Sequence, residues 1–279
     1  MICHIKINLH MKVSVIIPTY KPHDYIWECL DSIKNQTFAK DDFELILVLN
    51  GCKEPYYSKI KGYIEQNLVE FNVNLIQTDQ GGVSNARNIA LDVAKGEYVT
   101  FIDDDDYISP KYLEELYLAA SPDTVSLCYP YEFKDGAPEV QLPSPMTCVY
   151  DKYHTRSKLR LQSHIRKYFS GPWMKLIPMS FIQDRRFDVR FKNGEDSLFM
   201  FLISDKISKL SFTSKDAIYY RRYRAGSAVT SYRSKWSIVK NSINMIKVYC
   251  QIMIKSPLSY NFCFFISRIL GAFKIILLH

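Results

Sequence analysis

Short apolar runs alternate with amphipathic segments through the first half of the chain. The β-branched run Val13 to Ile17, the run Phe43 to Leu49 and the segment Glu97 to Ile102 have the composition of buried strands. Between them, apolar residues recur at helical spacing, as in Asp24 to Gln36 and Val83 to Ala94. Alternation of strands and helices with short connections predicts an α/β fold: a doubly wound, mostly parallel sheet with flanking helices.

Weaker patterns predict further elements and a less regular second half. Residues 134–150 are rich in Pro and Gly, and we expect loops there. The other predicted elements are helices over 57–69, 159–169, 197–204 and 236–254, and strands over 73–76, 124–131, 209–212 and 217–223.

Charge is distributed unevenly along the chain. The 279 residues are 47% hydrophobic, which is enough for the core of one large domain with an appendage. Ten Lys and Arg residues follow Asp216 and no acidic residue does, so the first 216 residues carry a net charge of −3 although the whole chain carries +7. A mildly acidic body with a basic tail argues against nucleic-acid binding and favours contact of the tail with anionic phosphates or lipid.

The cysteines and the two ends of the chain narrow the class of protein further. Seven scattered cysteines without a Cys-x-x-Cys pair indicate reduced thiols in a cytoplasmic protein, not a zinc site. Residues 1–10 lack the features of a secretory signal, and we interpret them as a dispensable extension. The apolar segment Tyr260 to Leu278 is interrupted by Arg268 and Lys274, so it lacks the run of about 18 apolar residues that spans a membrane. It is either a helix in the membrane interface or a helix docked on the protein itself.

Four consecutive aspartates, Asp103 to Asp106, follow the predicted strand at 97–102. Side chains alternate along a strand, so we expect Asp103 and Asp105 to share one face. Adjacent carboxylates repel each other at the edge of a core unless a cation compensates them. Mg²⁺ and Mn²⁺ bind carboxylate oxygens and share them with substrate phosphates. Because ligands of such sheets lie at the carboxyl ends of the strands, a metal–phosphate site is favoured over a solvated acidic turn.

Four short motifs occur in a specific order along the chain: VSVIIPTY at 13–20, GVSNARN at 82–88, FIDDDDY at 101–107 and GEDSLF at 194–199. Together they resemble a family 2 glycosyltransferase, an inverting enzyme with the GT-A fold that uses a nucleotide-sugar donor. The resemblance covers roughly residues 12–227. It implies a GT-A catalytic domain at 11–228, followed by a basic, acid-free helical tail at 229–279.

The implied reaction moves a sugar from a nucleotide-sugar, with UDP as the expected nucleotide, to a hydroxyl of a glycan or lipid-linked acceptor. The implied setting is bacterial surface polysaccharide or lipopolysaccharide synthesis. The protein would work in the cytoplasm, with peripheral contact to the inner face of the membrane through the C-terminal helix if that helix is interfacial.

The resemblance assigns donor binding to residues at the strand ends. Pro18, Thr19 and Tyr20 would receive the nucleotide, with Tyr20 packed against the base. Asp105 would be the main ligand of Mn²⁺ or Mg²⁺, and Asp103 would contact the ribose or the metal. The remaining implied nucleotide-sugar contacts are Asn50, Arg87, Asp104, Arg222 and Arg224.

Three of these assignments have alternatives. Arg87 lies at the start of a helix that favours anions, but a structural salt bridge would also explain it. Arg222 and Arg224 share a strand face and could meet one anion, or they could belong to an exposed basic strand. The family often has two aspartates after the second strand, whereas this chain has Leu49 and Asn50, so the choice of UDP stays open.

Glu195 and Asp196 resemble the catalytic acidic pair of the family. A divalent ion can neutralise the departing phosphates, but the acceptor hydroxyl must still lose a proton. We therefore interpret Asp196 as the base and Glu195 as the residue that positions it or the acceptor. The alternative is that both acids only complement the dipole at a helix start, which would lower their pKa values. Trp173 and Lys175 resemble a segment beside the acceptor site, although Trp173 could equally belong to the core.

Two other functions compete with this interpretation. A sugar nucleotidyltransferase also uses paired aspartates, but it would need a Gly- and Lys/Arg-rich triphosphate loop after the first strand, which residues 18–22 do not supply. A membrane-docked glycan- or nucleotide-binding protein without turnover is the non-enzymatic alternative. The presence of both acidic pairs speaks against it.

Overall fold

The computed structural model describes residues 11–156, 159–224 and 234–278. The strands are β1 (Val13–Thr19), β2 (Phe43–Asn50), β3 (Asn72–Thr78), β4 (Tyr98–Phe101), β5 (Tyr107–Ile108), β6 (Thr124–Leu127), β7 (Tyr129–Lys134), β8 (Ala137–Gln141), β9 (Lys175–Pro178), β10 (Lys209–Phe212) and β11 (Ile218–Tyr223). The helices are α1 (Tyr25–Lys34), α2 (Tyr56–Asn67), α3 (Val83–Val93), α4 (Tyr112–Leu118), α5 (Pro145–Tyr153), α6 (Met179–Ile182), α7 (Glu195–Leu202), α8 (Lys235–Lys255) and α9 (Phe262–Leu278).

The larger sheet has seven strands in the order β10-β6-β9-β4-β1-β2-β3. Every neighbouring pair is parallel except those of β9, which runs antiparallel to both β4 and β6. The strands at its centre are buried on both faces, which requires helices to cover them. This arrangement confirms the predicted α/β class with a mostly parallel sheet and flanking helices.

A second, four-stranded sheet in the order β5-β11-β7-β8 is not predicted by the sequence patterns. The single strand predicted over 124–131 divides at Cys128, so that β6 stays in the large sheet and β7 enters the small one. The segment 134–150, predicted as loops, instead forms β8 and the start of α5. Pro145 occupies the first turn of α5, where a missing N–H costs nothing, and the Ser144 Oγ accepts from the Met146 N–H as an N-cap.

The prediction of a basic helix over residues 159–169 is wrong. The segment contains only short 3₁₀ turns at Ser163–Ile165 and Tyr168–Ser170. Its backbone pairs with β10 instead, because the Leu210 N–H donates to the Leu159 carbonyl at 2.9 Å. Its apolar side chains are nevertheless buried in the core.

The C-terminal helices pack on the rest of the protein. Phe264, Arg268 and Ala272 of α9, spaced four residues apart, are buried, so one face of the helix docks as the second alternative for this segment expects. The opposite face leaves Leu270 and Phe273 exposed. No helix in the described ranges is both long and apolar enough to cross a membrane. The predicted domain boundary at 228/229 and the extension at 1–10 fall outside the described residues.

Candidate active site

A cavity of about 1480 Å³ opens at the carboxyl ends of β1, β2 and β4, the edge at which the sequence predicts a ligand. Its walls come from these strand ends, the start of α7, the end of β11, and the helices α8 and α9. Pockets for a single small ligand are typically about 300–1,000 Å³. The cavity is therefore large enough for two substrates side by side.

The aspartate run is a turn and not an extension of β4. The strand ends at Phe101, and the Asp106 N–H donates to the Asp103 carbonyl at 3.1 Å. The expectation that the side chains of this run alternate between two faces, as in an extended strand, is therefore wrong, since all four aspartates line the same cavity. Burial raises the pKa of the Asp104 carboxyl to about 7 and also raises the pKa of Asp105, to which the charge of Asp103 adds. Crowded, partly desolvated carboxylates of this kind are stabilised by a cation.

The donor set at this turn suits a hard divalent cation. Asp105 and Asp103 present carboxylate oxygens to the cavity, and such oxygens are the ligands that Mg²⁺ and Mn²⁺ prefer. Within the described part of the chain, no cluster of three or more His, Cys, Asp or Glu side chains is arranged to hold a metal ion. Asp103 and Asp105 are the residues that would hold a cation at this turn, with phosphate oxygens and water as its other ligands.

The side chain of Asn50, at the end of β2, links the end of β1 to the residue that precedes α3. Its Nδ2 donates to the Thr19 carbonyl at 2.7 Å, and its Oδ1 accepts from the Gly82 N–H at 2.8 Å. An asparagine is required here because the site uses both a donor and an acceptor, which an aspartate cannot provide. The Thr19 hydroxyl in turn donates to the Asp104 carboxylate. A contact between Asn50 and a nucleotide base stays a prediction.

Pro18 and Tyr20 lie at the same strand end and line the cavity. The last residue of β1 that pairs with β4 is Ile16, so Pro18 stands beyond the point at which β1 has neighbours on both sides. A missing N–H is tolerated at such a position. Tyr20 is 54% exposed at the cavity wall, which leaves its ring available to a ligand.

Arg87 of α3 joins two acids that are far apart in sequence. Its Nη1 donates to Asp196 Oδ1 at 2.5 Å, and its Nη2 donates to Asp103 Oδ1 at 2.9 Å. The side chain is only 2% exposed, and its guanidinium lies over the Phe187 ring at 5.3 Å. A buried charge is tolerated when it is paired, so both carboxylates help to hold it. The salt-bridge alternative for Arg87 is what the structure contains.

The acidic pair stands at the first turn of α7. Gly194, which precedes it, has φ of +84°, and a Cβ there would lie 2.5 Å from the Met245 side chain of α8. Burial raises the pKa of Glu195 to about 7, and its Oε2 is buried without a hydrogen-bond partner. Burial also raises the pKa of Asp196, although Arg87 opposes this shift. The expectation that the helix dipole lowers the pKa values of Glu195 and Asp196 is therefore wrong, because desolvation is the larger effect.

The raised pKa of Glu195 predicts a pH-dependent cost to stability. The folded protein keeps this proton up to about pH 7, whereas the unfolded chain releases it near 4.5, so stability is lost as the pH rises between these values. Glu195→Gln should raise the free energy of unfolding at pH 8 by up to about 3 kcal/mol, and should change it little at pH 4. Urea denaturation at both pH values measures this. Glu139→Gln, on exposed β8, is the matched control, and an equal gain in both variants would contradict the prediction.

The two predicted arginines of the β11 region both reach the aspartate turn. The Arg222 N–H donates to Asp106 Oδ1 at 2.8 Å, and its Nε donates to the Asp105 carbonyl at 2.9 Å. The Arg224 Nε donates to Asp105 Oδ2 at 2.6 Å, and its guanidinium lies over the Tyr25 ring at 4.6 Å. The Arg222 side chain is only 11% exposed, so the alternative of an exposed basic strand is wrong for it.

Trp173 lines the cavity, and Lys175 lies behind it. Trp173 is 7% exposed, and the guanidinium of Arg221 stacks over its ring at 4.7 Å. The Lys175 Nζ is fully buried and donates to the carbonyls of Gly171 and Trp173 at 2.7 and 2.5 Å. Burial lowers the pKa of Lys175 to about 7. Lys175 thus shapes the loop that presents Trp173, and acceptor binding by either residue stays a prediction.

Several cavity residues are missed by sequence reasoning. Arg221 adjoins Arg222 in β11, where no local pattern singles it out, and its partner Glu132 comes from the small sheet that no pattern predicts. Arg166 belongs to the segment predicted as a helix. Arg268 and Lys274 are recognisable in the sequence, because they are the two charged residues that interrupt an apolar run. They face the cavity, although the pattern was equally consistent with solvent-facing side chains.

Comparison with known proteins gives consistent matches. The family model "Glycosyl transferase family 2" matches residues 14–182. The chain is 30% identical over 233 residues to the poly(ribitol-phosphate) β-N-acetylglucosaminyltransferase TarS of Staphylococcus aureus strain Mu50, covering 79% of this chain and 37% of TarS. It is 28% identical over 235 residues to the glycosyltransferase GlyA of Streptococcus pneumoniae serotype 4, covering 81% of this chain and 32% of GlyA. The chain thus spans about a third of the length of these curated relatives.

Solved structures agree with the sequence comparison. The crystal structure of S. aureus TarS 1–349 in complex with UDP-GlcNAc matches with a TM-score of 0.70 and 25% identity, covering 95% of this chain and 70% of that one. The large sheet, the motif order and these matches are mutually consistent. The chain belongs to glycosyl transferase family 2.

Proposed function

We propose that this chain transfers a sugar from a nucleotide-sugar, with UDP as the nucleotide, to a hydroxyl of a glycan or lipid-linked acceptor, with inversion at the anomeric carbon. The observation that supports the proposal is the bridge from Asp103 through Arg87 to Asp196, which joins the aspartate turn and the acidic pair of α7 in one cavity. The similarity to TarS, whose crystal structure contains UDP-GlcNAc, supports the choice of UDP.

On the donor side, the strand-end residues Pro18, Thr19 and Tyr20 would hold the nucleoside. Asp105 and Asp103 would hold Mn²⁺ or Mg²⁺, which when bound neutralises the charge that develops on the departing diphosphate. Arg222 and Arg224 fix the aspartate turn through the Asp105 carbonyl and carboxylate, so they set the position of the acidic groups. No protonating acid is needed for departure of a diphosphate in this arrangement.

On the acceptor side, Asp196 would accept the proton of the acceptor hydroxyl while the oxygen of that hydroxyl attacks the anomeric carbon. Attack from the face opposite the diphosphate forms the new C–O bond as the old one breaks, and a single displacement inverts the configuration. Arg87 orients the Asp196 carboxylate and opposes the rise of its pKa that burial causes. Glu195 has a free Oε2 and a pKa of about 7, so it is the second candidate for the base.

A thermal-shift panel tests the class of ligand. Ligand binding to the folded state raises the apparent Tm by mass action, so UDP or a UDP-sugar with Mn²⁺ should raise it, and neither should do so after chelation with EDTA. A shift with UTP and none with UDP would favour nucleotidyl transfer. No shift with any nucleoside diphosphate would contradict the proposal. Release of UDP in the presence of acceptor separates an enzyme from a binding protein without turnover.

A further inference from the structure

The two ends of the cavity differ in how their cations are neutralised. At the donor end, Arg87, Arg221, Arg222 and Arg224 each pair with at least one carboxylate. The wall formed by α9 and the loops beside it, which we call the basic wall, carries cations without such partners. Among the residues that the structure describes, none of its five cations forms an ion pair. They are Arg166, Lys167, Lys192, Arg268 and Lys274.

Arg268 is the most constrained of these cations. It is 5% exposed, its Nη2 donates to the Phe169 carbonyl, and its Nε is buried without a hydrogen-bond partner. Burial, with a further contribution from the charge of Arg166, lowers the pKa of its guanidinium to about 10. A buried charge without a partner lowers the free energy of unfolding, and an anion bound at this wall would compensate the charge of Arg268.

Arg166 is positioned on the same wall by a close approach to α9. Its Nη1 donates to the Ser267 carbonyl at 3.0 Å. A Cβ at Gly271 would lie 2.2 Å from this nitrogen, so the absence of a side chain at Gly271 makes room for the guanidinium. Two guanidinium groups therefore line one wall, and guanidinium groups match the geometry of phosphate oxygens.

The basic wall is connected to the candidate catalytic carboxylates. Ser197, the residue after Asp196, shares a hydrogen bond of 2.5 Å with the Tyr249 hydroxyl of α8. Tyr249 also interacts electrostatically with Arg268 and Arg166. An anion on the wall would thus lie on the acceptor side of the cavity, beside α7.

We propose that the basic wall binds a phosphate or phosphodiester group of the acceptor, so that the substrate that receives the sugar is an anionic polyol or glycan phosphate and not a neutral glycan. This inference rests on the proposed function and adds the charge class of the acceptor to it. The group binds inside the cavity, since Arg268 is too deeply buried to meet the surface of a bilayer. Lys167 and Lys274, both exposed, would contact phosphates that extend toward the cavity mouth.

Binding of a fluorescently labelled polyol-phosphate oligomer to the full chain tests the inference, with the uncharged polyol of equal length as the reference ligand. Arg268→Gln should raise the Kd for the oligomer roughly tenfold. Lys167→Gln/Lys274→Gln, which changes only exposed side chains, should raise it about threefold even if the Arg268 variant does not fold. Lys240→Gln/Lys247→Gln removes two positive charges from exposed positions of α8 outside the cavity, and it should leave the Kd unchanged.

Several outcomes would overturn the inference. They are equal affinity for the charged and uncharged ligands, an unchanged Kd in the wall variants, or an equal loss in the α8 control. Binding to phosphatidylglycerol vesicles in place of the soluble oligomer would assign the charge to a membrane surface and would also overturn it. The Mn²⁺-dependent thermal shift with UDP is measured on the same proteins. Loss of oligomer binding with this shift retained would locate the effect at the acceptor wall, whereas absence of the shift in the unmodified chain would count against the proposed function alone.

Discussion

Asp196→Asn is expected to abolish sugar transfer while leaving donor binding intact. Removing a general base costs typically about 10²- to 10⁴-fold in rate, and an amide cannot accept the proton of the acceptor hydroxyl. The amide oxygen can still accept from Arg87 Nη1, so the hydrogen bond that orients the residue is kept. The rate of UDP release with acceptor present, together with the Kd for UDP, measures both parts of the expectation.

A matched control separates chemistry from the loss of an ion pair. Asp205 pairs with Arg185 at 2.7 Å outside the cavity, so Asp205→Asn removes a comparable charge without touching the site. It should leave transfer unchanged. Retained transfer in Asp196→Asn would refute the assignment of the base. Glu195 would then be the next candidate, and its pKa of about 7 predicts activity that rises with pH through neutrality and disappears in Glu195→Gln.

The second large effect is expected at the aspartate turn. Asp105→Asn should weaken Mn²⁺-dependent binding of UDP by about 100-fold or more, because even residues that only support metal ligands typically contribute about 10- to 100-fold to metal affinity. The amide oxygen can still accept from the Arg224 Nε, which keeps the turn in place. Isothermal titration of UDP with and without Mn²⁺ gives the difference directly.

Asp135→Asn is the control for this substitution. Asp135 is an exposed carboxylate that pairs with Arg222 at 2.9 Å and does not line the cavity, so its loss should leave UDP binding unchanged. An unchanged metal dependence in Asp105→Asn would remove Asp105 from the set of ligands. A parallel fall in both variants would mean that the substitution acts through the arginines and not through a cation.

The sequence predicts the first half of the fold well because local pattern and tertiary environment agree there. The strand predicted over Val13 to Ile17 is observed as Val13–Thr19, and the helix predicted over Val83 to Ala94 is observed as Val83–Val93. Each of these elements buries its apolar face in the layer that its own periodicity implies. The location of the site follows equally, since polar residues end several parallel strands at one edge of the sheet.

The second half is predicted less well because its contacts are set by distant partners. The division of one apolar run into β6 and β7 depends on pairing with β10 and β11, which come much later in the chain. The pairing of Arg87 with Asp196 likewise requires the fold to bring α3 and α7 together. No local pattern distinguishes an arginine that meets a ligand from one that joins two carboxylates.

The single residue between β6 and β7 has a mechanical consequence. The Cys128 N–H donates to the Met174 carbonyl at 3.2 Å, and its carbonyl accepts from the Tyr168 hydroxyl at 3.1 Å. The connection is one residue long, and its N–H and carbonyl groups both form hydrogen bonds. It therefore restricts rotation of one sheet relative to the other. Since the aspartate turn follows a strand of the large sheet and Arg222 belongs to the small one, the contact between them is held in place on this side. Discrimination between donors of different size should therefore come from a preformed fit, and not from closure of the two sheets.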